Sequence, residues 1–509
     1  MTDDQVAELL KSKHPLVMIE APAGCGKTYQ AANFAAHEAD HIGAKKILTL
    51  THTHAACSVI AERTELLKQR IDIRTLDSFI YQIANAYRIA LGLSEDIAAW
   101  VRSTEGSHEQ LANMVSNFVV GNPIVSGVLA QQYPVIICDE HQDSSVSQER
   151  LLLAICNSGA RVRIFGDPMQ VIPGGRKQNN KVADVLGRWA ALKEHAVFGE
   201  LGTPHRWKST NPALGAWVLQ ARIRLRDGKP IDLSKGVVGR PDVLVAENTS
   251  IKAQSYRFSP SNCDWAPINV TINQNTAVLC VAGLSATVNG LRSTFKQRLP
   301  IWEGHTRNEL ENLIVALSAG DLTSDQVSTK FVEFLQAVLT GFGATYTKRF
   351  RQEIEIPTAN PRGTIPPQMA VMATMVRENP THVGLAMAAA HLRDLISAKE
   401  GPFGQIRIDR PKELDDLIKI GRFVNADEGL AEIKQRRSRA HPKPPRKCLS
   451  TIHKSKGLEA HTTVIFGCDA AHFPDQPSKR NLLYVALSRA SHRLVLIRSE
   501  DQPSPLLAL

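Results

Sequence analysis

Short apolar runs alternate with longer stretches of helical period along most of this chain. Leu16-Val17-Met18-Ile19 is the first run; a loop, Ala21 to Thr28, and an alanine-rich stretch, Tyr29 to Ala36, follow it. The pattern predicts strand, turn and helix in succession. Lys46 to Thr51 predicts a second buried strand, with a helix from about Ala55 to Lys68 after it. Pro134 to Cys138 and Val162 to Phe165 continue the series. Apolar strands alternating with helices predict an α/β fold with a parallel sheet covered on both faces. Residues 85–130 break the pattern with Leu/Ile/Ala spacing of helical period, which predicts an inserted helical subdomain. A second α/β pattern begins near residue 200, with strand candidates Thr276 to Ala282, Cys448 to Ile452, Thr463 to Phe466 and Arg493 to Ile497. Between 298 and 440 it gives way to a mainly helical stretch with Pro/Gly-rich breaks, and Pro442, Pro444 and Pro445 mark the return. The expected organisation is therefore 1–84 with 131–200 as one α/β domain and 201–297 with 441–509 as another. Residues 85–130 and 298–440 are the expected helical insertions.

Composition narrows the class. At 509 residues the chain exceeds one core, and 43% hydrophobic residues is the content of a soluble globular protein. No stretch is long and apolar enough for a membrane helix, and Met1-Thr2-Asp3-Asp4 lacks a signal peptide's apolar core. Eight cysteines are scattered singly, which predicts neither a zinc site nor a disulfide framework and so a reducing compartment, most simply the cytoplasm. The net charge of +10 permits a polyanionic partner. Two basic clusters stand out: Lys434 to Lys447, which has no acid, and the alternating set Arg222, Arg224 and Arg226. A solvated face or linker is the alternative for each.

The chemistry concentrates in the loop Ala21-Pro22-Ala23-Gly24-Cys25-Gly26-Lys27-Thr28. Gly24 and Gly26 allow a tight turn that points backbone N–H groups into one cavity, and the following helix adds the positive end of its dipole. Such a loop binds a nucleotide phosphate: Lys27 reaches the β- and γ-phosphates and the Thr28 hydroxyl holds Mg²⁺. Ala21 stands where the usual motif has its first glycine. The apolar strand Val135 to Cys138 ends in Asp139-Glu140, costly unless the acids have work or partners. Asp139 is a candidate Mg²⁺ ligand through its water shell, and Glu140 a candidate general base for the attacking water. Gln170, after Ile164-Phe165-Gly166-Asp167, is a candidate γ-phosphate sensor.

In order along the chain, these segments resemble the motifs of superfamily 1 helicases of the UvrD/Rep/PcrA type. Asp139-Glu140-His141-Gln142-Asp143 matches D-E-x-Q-D, and Gly166-Asp167-Pro168-Met169-Gln170 matches G-D-x-x-Q. Leu201 to Ser209 resembles L-x-x-x-[HY]-R. Thr451 to Glu459 matches T-x-H-x-x-K-G-L-E, and Leu482 to Ala490 matches L-L-Y-V-A-L-[ST]-R-A. Thr51-His52-Thr53-His54-Ala55-Ala56 and Thr75-Leu76-Asp77-Ser78-Phe79 resemble the family's DNA-contact motifs.

The resemblance implies two RecA-like P-loop domains with parallel sheets, and ATP and Mg²⁺ between them. It implies that Gln5 reads adenine, that Ala21, Gly24, Cys25, Gly26, Lys27, Thr28 and Gly457 form the nucleotide pocket, and that Glu459 holds the ribose. Arg206 and Arg489 would neutralise charge on the γ-phosphate. For nucleic acid it implies Thr51, Thr53, Thr75, Ser78, Thr451 and His453 as phosphate contacts. His52, Phe79 and Trp207 are candidate stacking surfaces, with a core role as the alternative for the last two. Single-stranded or partly duplex DNA is the implied partner, with 3′ to 5′ movement. The compact form also resembles helicase subunits of anti-phage systems such as Gabija, which implies a separate nuclease partner.

The chain departs from the family at His52 and His54, where Phe and Asn are frequent, and at Asp77, which replaces His. Val171-Ile172-Pro173 replaces a common Ser-Ile-Tyr. The expected function is an ATP-dependent translocase or helicase on single-stranded DNA. A DNA-stimulated ATPase that acts as sensor or regulatory subunit, with little unwinding, is the alternative; a non-motor nucleotide enzyme such as a kinase has no use for the whole motif set.

Overall fold

The computed structural model describes residues 1–509 except 53–56, 58–68, 95–96, 98–99, 102–106, 175–177, 247–264, 296–297, 303–307, 319–321 and 440–443, and except the side chains of 178, 246, 293, 308, 431 and 434–439. The chain divides into two compact units, Met1–Trp302 with Pro444–Leu509, and Glu303–Lys443.

The first unit is built on two parallel sheets. β1 (Leu16–Glu20), β2 (Ile47–Thr51), β3 (Ile71–Thr75), β4 (Val135–Cys138), β5 (Arg161–Gly166) and β6 (Val197–Glu200) form the first, in the order β3-β2-β4-β5-β1-β6. Every residue of β1, β2 and β4 is buried, as expected of central strands covered by helices on both faces. The register pairs Leu16 with Val162 through Glu20 with Gly166. That alignment ends β1 and β5 side by side, so the turns after Glu20 and after Gly166 meet at one edge. Open parallel sheets place their ligand sites beyond the carboxyl ends of the strands.

The chain continues through the short β7 (Ile231–Asp232) to β8 (Asp242–Ala246) and β9 (Val278–Ala282), and then into the second unit. Among its described residues that unit is helical apart from β10 (Leu339–Thr340) and β11 (Arg407–Ile408), which pair antiparallel. Phe331, Phe350, Phe403, Met372 and Leu392 lie in its core. The expected insertion boundaries, 298–440, differ by a few residues from the unit's own. Back in the first unit, β12 (Lys447–Thr451), β13 (Ala460–Cys468) and β14 (Ala490–Ser499) complete the second sheet in the order β12-β9-β13-β14-β8, and β15 (Leu507–Ala508) pairs with β7.

Residues 85–130 do not form a separate body among the described residues. The helices Ser107–Gly121 and Pro123–Gln132 bury Leu111, Val115, Val119 and Leu129 in the same core as Phe79, Tyr133 and Ile136 of the first sheet. Their apolar faces match that sheet's own covering, so no second core is needed.

Candidate active site

The phosphate loop turns on Gly24 and Gly26, at φ 76° and 83°, a left-handed conformation that disfavours a side chain. Space requires glycine too. A Cβ on Gly24 would lie 2.7 Å from the Trp207 ring and 2.9 Å from the Arg206 Cβ, and one on Gly26 would lie 3.0 Å from His205. The helix Lys27–Ala39 starts straight from Gly26 with no side-chain cap, so its first N–H groups face the loop's cavity. Ala21 is buried and donates its N–H to the Gly166 carbonyl at 2.8 Å, a position with no room for exposed polar chemistry. Burial, with Asp167 next, pushes the Cys25 thiol up to about 12, which makes it a small core residue rather than a nucleophile.

Lys27 lies 2.5 Å from Glu140 Oε1 and 3.5 Å from Asp139 Oδ1. Burial alone would lower the lysine, but the two carboxylates more than offset it and hold its pKa above the ordinary range. The same triangle splits the acids. Burial raises Asp139, which is 1% exposed, and Lys27 only partly counters it. Glu140 is pulled down by Lys27 and Lys456 against the effect of burial. Glu140 also sits at φ 55°, an uncommon conformation for a residue with a side chain, and one that recurs at functional sites. Its second oxygen accepts from Gln142 Nε2 at 2.6 Å, and Gln142 Oε1 accepts from the Asp167 N–H at 3.1 Å. Thr28 stands half-buried in the first turn of the helix. A hydroxyl, one buried carboxylate and open phosphate positions suit Mg²⁺, which keeps several waters and needs no protein cage. Among the described residues no group of three or more His, Cys, Asp or Glu gathers as a cage.

The second sheet brings its strand starts, not its strand ends, to this loop. Ala460 and Ala490 pair at the beginnings of β13 and β14, next to Glu459 and Arg489. Arg206 N–H donates to the Gly24 carbonyl at 3.1 Å, so its turn lies directly on the phosphate loop. The Arg206 guanidinium donates to Glu459 Oε2 at 2.9 Å and to the Ser488 carbonyl at 2.5 Å. Arg489 is 2% exposed and donates to the carbonyls of Val485 and Leu458 and to Ser488 Oγ. Burial first and Arg206 second hold its pKa below the usual arginine range. Gln170 is buried, and its amide donates to Asp167 Oδ2 at 3.0 Å. Gln5 lies exposed in the helix Asp3–Lys11; its oxygen accepts from the Thr2 N–H at 2.8 Å as half of a capping box. Gly457 turns at φ 83°, with open space where a side chain would be.

The expected nucleic-acid residues are placed unevenly. Trp207 and Phe79 are both 0% exposed, and the Trp207 indole donates to the Ala490 carbonyl at 2.7 Å. Neither can stack on a base; both are core residues, Trp207 filling the space that Gly24 leaves empty. His52 is half-buried, and its Nε2 meets Ser144 Oγ at 2.9 Å, which ties it to the turn that carries Glu140. Thr51 is buried, while Thr75 caps the helix Leu76–Ala86 by accepting from the Ser78 N–H at 3.1 Å. Ser78 is exposed at that helix start, and Asp77 accepts from Gln148 Nε2 at 2.9 Å. Thr451 and His453 are half-buried, and burial lowers the His453 pKa. Thr53 lies outside the described residues, as does part of the Lys434–Lys447 cluster. Arg222 is no solvated face: it is 1% exposed and bonded to Asp167 and Glu20.

Lys456 and Tyr484 carried no expected role in the sequence. Lys456 Nζ lies 2.6 Å from Asp143 Oδ2 and joins the second sheet's loop to the D-E-x-Q-D turn. Tyr484 OH accepts from the Ala23 N–H at 2.8 Å. The one available signal was a polar residue inside each quoted motif.

Residues 5–176 match the family model of an AAA domain, and residues 448–497 match that of a UvrD-like helicase C-terminal domain. No curated protein matches the chain. Among solved structures, the arterivirus nonstructural protein 10 (helicase) is similar over 99% of this chain at 11% identity and TM-score 0.33. The chain spans 65% of that protein's length.

Proposed function

We infer that this chain, in which an AAA domain matches residues 5–176 and a UvrD-like helicase C-terminal domain matches 448–497, is an ATP-driven motor on single-stranded DNA of the UvrD-like superfamily 1 type. The observation that carries this reading is the triangle of Lys27, Glu140 and Asp139 beneath a loop whose other wall, Arg206 and Trp207, is a turn bonded to Glu459 and Ala490 at the start of the second sheet's strands. A triphosphate entering the loop competes with the two carboxylates for Lys27. Once the lysine turns to phosphate, Glu140 is free to accept a proton from the attacking water. Thr28 and Asp139 would hold Mg²⁺, which supplies charge neutralisation at the β- and γ-phosphates. Arg206 and Arg489 reach the γ-phosphate only by exchanging their present partners, among them Glu459 and the Leu458 carbonyl. That exchange ties hydrolysis to the placement of the second sheet, which is how bond cleavage drives stepping.

The DNA surface would follow the strand ends through Thr75, Ser78, Thr451 and His453, contacting phosphates without reading sequence. The burial of Phe79 and Trp207 favours a second reading, a DNA-stimulated ATPase switch that controls a partner such as a nuclease. Strand displacement on duplexes with 3′ or 5′ tails separates the two. Displacement of the 3′-tailed duplex alone is the expected result. DNA-stimulated hydrolysis with neither duplex displaced overturns the motor and leaves the switch.

A further inference from the structure

Asp167 follows β5 and is fully buried. A buried carboxylate is costly unless donors surround it, and this one is surrounded. Oδ1 accepts from the Met169 N–H at 3.1 Å and from Arg222 Nη2 at 2.8 Å; Oδ2 accepts from Gln170 Nε2 and from Tyr484 OH, both at 3.0 Å. Arg222 also donates to Glu20 Oε1 at 2.5 Å, at the end of β1. Arg222 and Tyr484 come from helices Pro212–Arg226 and Pro477–Leu487, which follow the first sheet in the chain. A tyrosine hydroxyl has one proton. With that proton on Asp167, its lone pair accepts from Ala23 N–H, inside the phosphate loop. Tyr484 is 0% exposed, so no water replaces either bond.

We propose that Tyr484 is a positioning residue for ATP turnover: its hydroxyl fixes the phosphate loop at Ala23 and, through Asp167, the carboxamide of Gln170. One carboxylate thus holds the sensor glutamine and, by way of Tyr484, the loop that grips the phosphates, while Arg222 anchors it from the far side. A displacement of the helix Pro477–Leu487 moves loop and sensor together. This inference rests on the reading that Lys27 and Gln170 serve ATP hydrolysis. Tyr484 is fully buried and its hydroxyl is bonded to Ala23 and Asp167, so it acts through the loop and, by way of Asp167, through Gln170.

The test is steady-state hydrolysis with single-stranded oligonucleotide by wild type, Lys27→Ala, Tyr484→Phe, Gln170→Ala and the Tyr484→Phe/Gln170→Ala pair, with ADP affinity and thermal melts alongside. Phenylalanine keeps the buried ring and leaves the Ala23 N–H without an acceptor. Tyr484→Phe should lower kcat about tenfold, the rate equivalent of one hydrogen bond, with ADP affinity within about threefold. The double variant should lose less than the product of the single losses, because both act through Gln170. An unchanged kcat, a loss confined to nucleotide affinity, or full multiplicativity overturns the proposal. If Tyr484→Phe does not fold, a series of fluorinated tyrosines at 484 weakens the acceptor stepwise; kcat falling along the series supports the proposal and a flat series overturns it. Turnover undiminished in Lys27→Ala would instead remove the ATP-site reading beneath it.

Discussion

Lys27 cannot hold a triphosphate and both carboxylates at once. In the structure the lysine is committed to Glu140 and Asp139, so nucleotide binding begins with an exchange of partners. Replacing Glu140 by Gln removes the nearer competitor. ATP binding should tighten while kcat falls by about 10² to 10⁴, the contribution of a general base; fluorescent-nucleotide titration and steady-state turnover measure the two. Weaker binding with normal kcat would contradict the exchange. The pair also has a pH signature. Lys27 holds the folded Glu140 pKa below its ordinary 4.5, so the pair's stabilisation is present above that value and lost as pH falls through the lowered one. The gap in denaturation midpoint between wild type and Glu140→Gln should stay constant from neutral pH down to about 5 and narrow below it. At this scale the sequence reading went furthest where chemistry is local: Lys27, Thr28, Asp139 and Glu140 follow from strand ends and glycine spacing. Tyr484 and Arg222 escaped it because their partners lie 461 and 202 residues away, and only packing brings them together.

At the scale of elements, the helix Pro212–Arg226 shows why a basic set misleads. Asn211 caps it, accepting from the Leu214 N–H at 3.0 Å, and Pro212 stands in its first turn. Its apolar face, Leu214, Val218, Ala221 and Leu225, enters the second sheet's core. Arg222 shares the buried side with these residues and meets Glu20 and Asp167. Arg222→Ala leaves two carboxylates without their cation, and chemical denaturation should report a loss of about 3 to 5 kcal/mol. A loss under 1 kcal/mol would show that water or another donor replaces the guanidinium. Strands β1, β2, β4, β5, β9, β12, β13 and β14 were legible as short apolar runs; β3, β6 and β8, at the sheet edges, were not expected, and β3 and β6 are only partly buried. Helices at 85–130 were legible as helices; their sharing of the first sheet's core was not, because helical period reports that a face is buried and not what buries it.

On the scale of the whole molecule, two parallel sheets in one compact unit present opposite ends to one loop, β1 and β5 by their carboxyl ends and β13 and β14 by their starts. No helix among the described residues is long and apolar enough to cross a membrane. The site is therefore divided between sheets, and its turnover should depend on whatever shifts one against the other. Measurement of kcat for ATP with and without saturating single-stranded DNA, in wild type and Lys27→Ala, addresses that claim directly. The expected result is a rate several-fold or more higher with DNA, and no turnover in Lys27→Ala under either condition. Hydrolysis that is the same with and without DNA or RNA, or that survives in Lys27→Ala, would contradict it.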